Sequence, residues 1–321
     1  MECEARYHPS AEQLSLASTI EESVVPLLPL ARLHASPEET NEVWSSLEDI
    51  GLFGITAPES EGGSGLGAVE EALIAMTLGR CLAAPAVLAT MGAAHAVPVA
   101  ATQPNAKRVA AGYRRANRIV VVENAECRFV LVREADRAAL HAIGSHDARP
   151  LDRTLWLASL QEYSSLGEPA ANFDAAGLLR LRLIDAAALS GIAQAALEMG
   201  VAYAGIREQF GRPIGSFQAI KHHCANMAIA ANCARDQTAF AAVAFDDLRD
   251  DAAMQVESAL LVAGRAALDN AAKNIQIHGG IGFSDEADPH LLLKRAQLLL
   301  AIAGGLEATT QRVASAKGIS T

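Results

Sequence analysis

Aromatic residues make up only 4% of this 321-residue chain, basic residues are outnumbered, and the cysteines are few and unpaired in spacing. The aromatic shortage, set against abundant alanine, disfavours a β-sandwich and favours closely packed helices. Twenty-six Lys/Arg against thirty-seven Asp/Glu give a formal charge of −11, which argues against a nucleic-acid surface. Five cysteines, at 3, 81, 127, 224 and 233, include no CxxC pair, so neither a disulfide framework nor a zinc ribbon is expected. They read as reduced thiols filling small apolar gaps, which points to the cytoplasm. No apolar run reaches membrane-spanning length without interruption, so no membrane association is expected. Met1–Ser10 carries Glu2 and Glu4 with no apolar core behind it, unlike a secretory signal. What is present, 51% hydrophobic and 20% charged residues, describes a globular chain.

The first hundred residues read as short helices joined by turns. Pro37-Glu38-Glu39 is expected to open one, with proline at a donor-free position and the acids at the positive helix end. Val43, Trp44, Leu47 and Ile50 follow at helical spacing, and Gly51 ends it. The segment Ala57-Pro58-Glu59-Ser60-Glu61-Gly62-Gly63-Ser64-Gly65 is too rich in glycine for helix interior. Helical periodicity resumes over 69–82 and 86–97.

Composition then shifts. From Lys107 to Arg153, ten Lys/Arg stand against six Asp/Glu, a net +4 inside an acidic chain. This stretch holds the clear strand signals, Ile119-Val120-Val121-Val122 and Phe129-Val130-Leu131-Val132, parted by a polar Glu123-Asn124-Ala125-Glu126 turn. It is expected to form a β insert of about sixty residues, small for a domain. Its positive charge reads first as a solvated face, with a phosphate or an acidic partner as the alternative.

From Ala171 onward the pattern predicts four long helices, over 171–208, 216–248, 250–278 and 289–316. Pro213 and Gly215 break the first pair, with Ser216 as a cap. Gly279-Gly280 stops the third helix, and Asp288-Pro289 starts the fourth with a cap and an N1 proline. Leu291, Leu292, Ala296, Leu299 and Ala303 mark its apolar stripe. Short links make this an antiparallel four-helix bundle. A di-iron bundle needs Glu-x-x-His, and none of the nine histidines has Glu three residues before it. His222-His223-Cys224 cannot converge on one ion, because adjacent helical positions point about 100° apart. No metal site is expected.

Two segments carry more than bundle chemistry: Arg207-Glu208-Gln209-Phe210-Gly211-Arg212-Pro213-Ile214-Gly215-Ser216-Phe217-Gln218, and Gln276-Ile277-His278-Gly279-Gly280-Ile281-Gly282-Phe283-Ser284-Asp285-Glu286. Each sets polar side chains at a helix end beside glycines. An arginine there can pair with a diphosphate, and glycine lets a backbone amide approach a ligand. Together they closely resemble the carboxy-terminal bundle of the acyl-CoA dehydrogenase family. The Pro58-Glu59-x-x-Gly62-Gly63-x-Gly65 turn resembles that family's amino-terminal domain, so the resemblance spans nearly the whole chain and is strongest at its two ends.

The resemblance implies a mainly α, acyl-CoA dehydrogenase-like fold. It comprises an N-terminal helical domain over 1–105, a reduced β domain over 106–170 and a C-terminal four-helix bundle over 171–321. It implies FAD lying across a subunit interface. The FAD-diphosphate role falls on Arg207, flavin contacts on Phe210 and Gln218, and adenosine and diphosphate contacts on Gln276, Ile277, His278, Gly279 and Gly280. His278 reads as a shape residue there. The family's flavin-ring strands resemble TEPxxGSD and WITN, and neither pattern occurs here; between Trp44 and Trp156 there is no tryptophan.

The family's reaction removes a proton α to a thioester carbonyl while a β-hydride moves to the flavin, which needs a carboxylate in a dry pocket. Aligning on the family's two alternative base positions brings Ala303 and Leu181 there, and neither accepts a proton. Asp185 and Glu307, each one turn further on, read as pairing or solvent-facing acids before substitutes. The resemblance is therefore to the short, degenerate subunits of actinobacterial α2β2 dehydrogenases for steroid side-chain CoA thioesters. A full-length acyl-CoA dehydrogenase subunit would be the partner, with FAD shared and an acyl-CoA as substrate. A self-sufficient homo-oligomer with an unconventional base and a flavin-free scaffold of the same fold are the alternatives.

Overall fold

The computed structural model describes residues 6–36, 38–95, 108–122, 126–144, 148–151 and 158–316. The amino-terminal layer holds α1 (Ala11–Val24), α2 (Asn41–Asp49), α3 (Ala68–Arg80) and α4 (Pro85–Ala93). Helix α1 begins with a reciprocal cap: Ser10 Oγ accepts from Gln13 N–H at 3.2 Å, and Gln13 Oε1 accepts from Ser10 N–H at 2.9 Å. By length and composition alone Ala11–His34, with mean hydropathy 1.2, is long and apolar enough to cross a membrane. It folds instead as α1 and two 3-10 turns, the first carrying Pro26 and the second preceded by Pro29.

Helix α2 buries Trp44 and Leu47, as its spacing predicts, but opens at Thr40 and not at Pro37, which lies outside the described residues. The Thr40 hydroxyl accepts from Val43 N–H, while Glu39 is drawn inward by Arg32 and by Ala84 N–H at 3.1 Å. The expected helices over 69–82 and 86–97 are α3 and α4; residues 96 and 97 lie outside the described residues.

Helix α3 is capped from far along the chain. Asp246 accepts from Ala68 N–H at 2.8 Å and from Val69 N–H at 3.0 Å. Where α3 crosses the first bundle helix, α5 (Ala175–Ile206), backbone meets backbone. A Cβ on Gly79 would lie 1.9 Å from the Ala188 carbonyl oxygen, and one on Gly191 1.9 Å from that of Met76. Small residues are required there, which is one use of the alanine- and glycine-rich composition.

The middle of the chain forms one sheet from β1 (Val109–Arg115), β2 (Arg118–Val122), β3 (Phe129–Arg133), β4 (Ala138–Ala142), β5 (Arg149–Pro150), β6 (Leu160–Tyr163) and β7 (Ala171–Asn172), in the order β5-β6-β2-β1-β3-β4-β7. The two expected strands are β2 and β3, but they are not neighbours. Strand β1 runs between them, antiparallel to β2 and parallel to β3. Its Val-Ala-Ala-Gly start is buried on both faces and so lacks the alternation that marks a half-exposed strand. The intervening turn, 123–125, lies outside the described residues. One sheet face joins the main core through Ala111, Val122 and Leu131; the other packs a small cluster that includes Ala110, Val121 and Val130.

The bundle consists of α5, α6 (Gln218–Asp246), α7 (Ala252–His278), α8 (Pro289–Ile302) and α9 (Gly305–Ser315). Asn270 Nδ2 donates to the carbonyls of Ala193 and Met227, each at 3.0 Å, and so ties three helices together. The expected single helix over 289–316 is broken, because Gly304 (φ +92°) and Gly305 (φ +86°) are both left-handed. Ser216 is no cap: it sits in a 3-10 turn, Phe217 holds the N-cap position, and no side chain bonds there. Asp288 does precede α8, but its carboxylate accepts from His34 Nε2 at 2.6 Å and leaves the helix end unbonded.

Candidate functional site

Antiparallel packing brings the end of α5, the start of α6, the end of α7 and the start of α8 to one end of the bundle. All eight residues assigned to the cofactor on the resemblance lie there. Arg207 follows α5, is exposed, and its guanidinium has no partner among the described residues. A tight hairpin of β8 (Glu208–Gln209) and β9 (Arg212–Pro213) comes next. Its turn places Phe210 (φ +53°) and Gly211 (φ +74°) both in the left-handed region, as a type I′ turn requires. Glycine adopts that backbone freely and phenylalanine does not. Phe210 nonetheless occupies the tip with its side chain 90% exposed, edge-on to Phe217 at 6.1 Å. The Arg212 guanidinium covers the Phe217 ring at 4.2 Å.

Across from this hairpin, His278 stacks on Tyr203 at 4.0 Å and shares a 2.9 Å hydrogen bond between Nδ1 and the Asn274 carbonyl. The ring thereby locks α7 to α5, consistent with a shape residue. Ile277 is buried; Gln276 and Gln218 are exposed. Gly279 (φ +67°) and Gly280 face open space, with nothing within 4 Å of where a Cβ would stand. Ile206 (79% exposed), Ile281 (51%) and Phe283 (73%) add apolar surface to the same end. These three were not singled out in the sequence, although the second motif contains two of them. The Ser216 hydroxyl is buried here without a partner.

The implied base positions tell the opposite story. Leu181 on α5 and Ala303 after α8 are both buried. Leu181 and Ile302, the neighbour of Ala303, line one void together with Ala111, Leu131, Leu299 and Asp185, and its volume is only about 20 Å³. That is room for about one water and far below the roughly 300 Å³ of a small ligand pocket. Asp185 is ion-paired to Arg133 in this buried setting. Burial pushes its carboxyl up, against the opposing pull of Arg133 and Arg182. Glu307 is exposed in the first turn of α9. Beside the void, Glu257 is buried between Arg182 and Arg312. Those two arginines also line a broad groove of about 660 Å³, walled by Phe173, Leu179, Phe245 and Leu248. His222 is exposed, and among the described residues no three His, Cys, Asp or Glu side chains are grouped to hold a metal.

Comparison with known proteins meets this geometry. Residues 10–107 match the acyl-CoA dehydrogenase N-terminal domain and residues 173–318 the acyl-CoA dehydrogenase C-terminal domain, leaving the sheet region between them. The chain belongs to the acyl-CoA dehydrogenase family. Among its relatives is acyl-CoA dehydrogenase IpdE2 of Mycobacterium tuberculosis, 32% identical over 294 residues that cover 88% of each protein. In fold it is similar to a chain of the ChsE4-ChsE5 complex from Mycobacterium tuberculosis, with TM-score 0.77 and 22% identity over 98% of this chain and 100% of that one. It is also similar to a chain of the Tcur3481-Tcur3483 steroid ACAD, with TM-score 0.76 and 22% identity over 94% and 96%.

Members of this family typically bind FAD. The residues present suit one half of that cofactor. A guanidinium without a partner among the described residues and two open glycine backbones have the donor chemistry a diphosphate would need. Among the described residues, the void beside β1 and β3, of about 20 Å³, is too small for the flavin ring, and β1 returns into β2 through the two-residue turn Ala116–Asn117.

Proposed function

We propose that this chain is the non-catalytic subunit of a hetero-oligomeric, FAD-dependent acyl-CoA dehydrogenase, completing the FAD site of a full-length partner and contributing no base. The observation that carries the reading is the closed void. Both positions onto which the resemblance carries the carboxylate, Leu181 and Ala303, are buried and apolar, and the void that Leu181 lines is too small for a thioester.

In this reading Arg207 makes charge-assisted bonds to the diphosphate, and Gly279 and Gly280 bring backbone N–H groups within reach of it. Gln218, Gln276 and Ile277 flank the cofactor, and His278 holds the loop in shape. Phe210, already paying for a left-handed backbone, enters the partner's flavin site. When bound, FAD supplies the hydride acceptor; the proton acceptor is the partner's. An α2β2 assembly in the cytoplasm fits this division. A bulky CoA thioester, such as a steroid side-chain CoA, is the proposed substrate class, because one closed pocket leaves its neighbour room to widen. The family relation and the word steroid in the name of a solved neighbour support that choice.

Co-expression with a full-length acyl-CoA dehydrogenase chain, followed by flavin counting, tests the reading. One FAD per pair of unlike chains is expected. One FAD per copy of this chain, with unaided turnover abolished by Asp185→Asn or Glu307→Gln, would instead establish a self-sufficient enzyme. Flavin content indifferent to Arg207→Ala would establish a scaffold.

A further inference from the structure

Four of the eight described arginines of the basic stretch are paired within the chain, and Arg128 and Arg149 are exposed singly. Arg108 lies over Trp44 at 4.7 Å and reaches Glu126 at 3.0 Å, and Arg133 is held by Asp185. Glu134 serves both Arg114 at 2.8 Å and Arg137 at 2.7 Å. The tip of the β1–β2 hairpin is different. Its register sets Arg115 directly opposite Arg118, so both side chains leave the same face of the sheet, about 5 Å apart at the backbone. Both are exposed, and neither has a partner among the described residues. Like charges facing each other across an antiparallel pair oppose folding. The turn adds to this: Ala116 sits at φ +51°, where the two-residue hairpin favours Asn or Gly. Two local penalties thus meet at one point.

We propose that the Arg115–Arg118 pair is a docking point for a carboxylate-bearing segment of another protein chain. Two guanidinium forks side by side suit carboxylates, each of which takes two parallel N–H donors. The tip projects and does not enclose, so it makes a poor pocket for a free anion, which a concave site would hold. Tyr113, the nearest aromatic, is packed against the main core and offers no stacking face for a base. The chain's −11 charge repels nucleic acid and anionic lipid at range, whereas a short acidic protein segment can meet the tip alone. This surface is independent of the flavin reading.

The full chain passed over an immobilised short glutamate peptide at low salt tests the proposal, with inorganic pyrophosphate as a competitor in solution. The wild type is expected to be retained despite its net charge and to elute as salt rises. The double variant Arg115→Thr/Arg118→Thr should bind at least about tenfold more weakly, while Arg115→Lys/Arg118→Lys retains part of the affinity. The free double variant should melt about 1–2 °C higher, since the facing charges are gone. This opposite movement of binding and stability is the signature of a site maintained against the fold. Unchanged retention in the threonine variant, a lower melting point, or tighter binding of pyrophosphate than of the glutamate peptide would each overturn the proposal.

Discussion

The end of the bundle around Arg207 and Gly279 and the void around Leu181 obey opposite rules. At the first, a cation stands without a partner among the described residues, glycines face open space, and large apolar side chains lie bare. At the second, the carboxylates are matched to guanidinium groups and the remaining space is about 20 Å³. A chain acting alone would need the second region open and would gain little from the first. The contrast teaches that, in the proposed reading, the end meant for another molecule stays open while the interior pocket is packed like ordinary core.

Substitutions can break that contrast, beginning with the pocket. Asp185→Ala strands Arg133 in the interior and should cost about 3–5 kcal/mol of stability by denaturant unfolding. A loss under 1 kcal/mol would mean that the pair is not buried as described.

Glu71 tests the same core by pH. Burial alone would push its carboxyl up, but His95 at 2.9 Å and Arg180 at 2.7 Å outweigh it and hold the carboxyl below the ordinary range. A depressed folded pKa means that the unfolded chain takes up the proton first. The contribution is therefore present above about pH 4.5 and lost as pH falls through the folded value. Glu71→Gln should lower stability at neutral pH by about 3 kcal/mol and flatten the acid limb of a melting profile. An acid limb unchanged in the variant would count against the triad.

At the other end the same tests should barely register. Arg207→Ala and Phe210→Ser should each shift stability by less than about 0.5 kcal/mol. In the co-expressed complex, Arg207→Ala should weaken flavin retention about 10- to 100-fold, the worth of charge-assisted bonds. The smallest effect is expected at Gly205, which lies in α5 with nothing within 4 Å of a Cβ. There Gly→Ala should stabilise the isolated chain by about 0.5–1 kcal/mol, measured by thermal melting.

Much of the fold was legible in local punctuation. Pro213, Gly215 and the Gly279-Gly280 pair mark helix breaks that need no distant partner, and the eight motif residues gather at one end. What escaped was set by long-range partners. Glu39 reads as a helix-opening acid until Arg32 and Ala84 claim it. Asp185 reads as a pairing or solvent-facing acid, and only the fold supplies the partner, Arg133, 52 residues away. Strand β1 escaped because burial on both faces removes the alternation that pattern reading relies on. The break at Gly304-Gly305 escaped because the apolar stripe leads straight into it.

Equilibrium titration of FAD against this chain alone, against a full-length acyl-CoA dehydrogenase partner alone, and against their mixture probes the division of labour most directly. Tight, stoichiometric flavin uptake and thioester oxidation only in the mixture is the result the account predicts. Full flavin uptake and turnover by this chain unaided would contradict it.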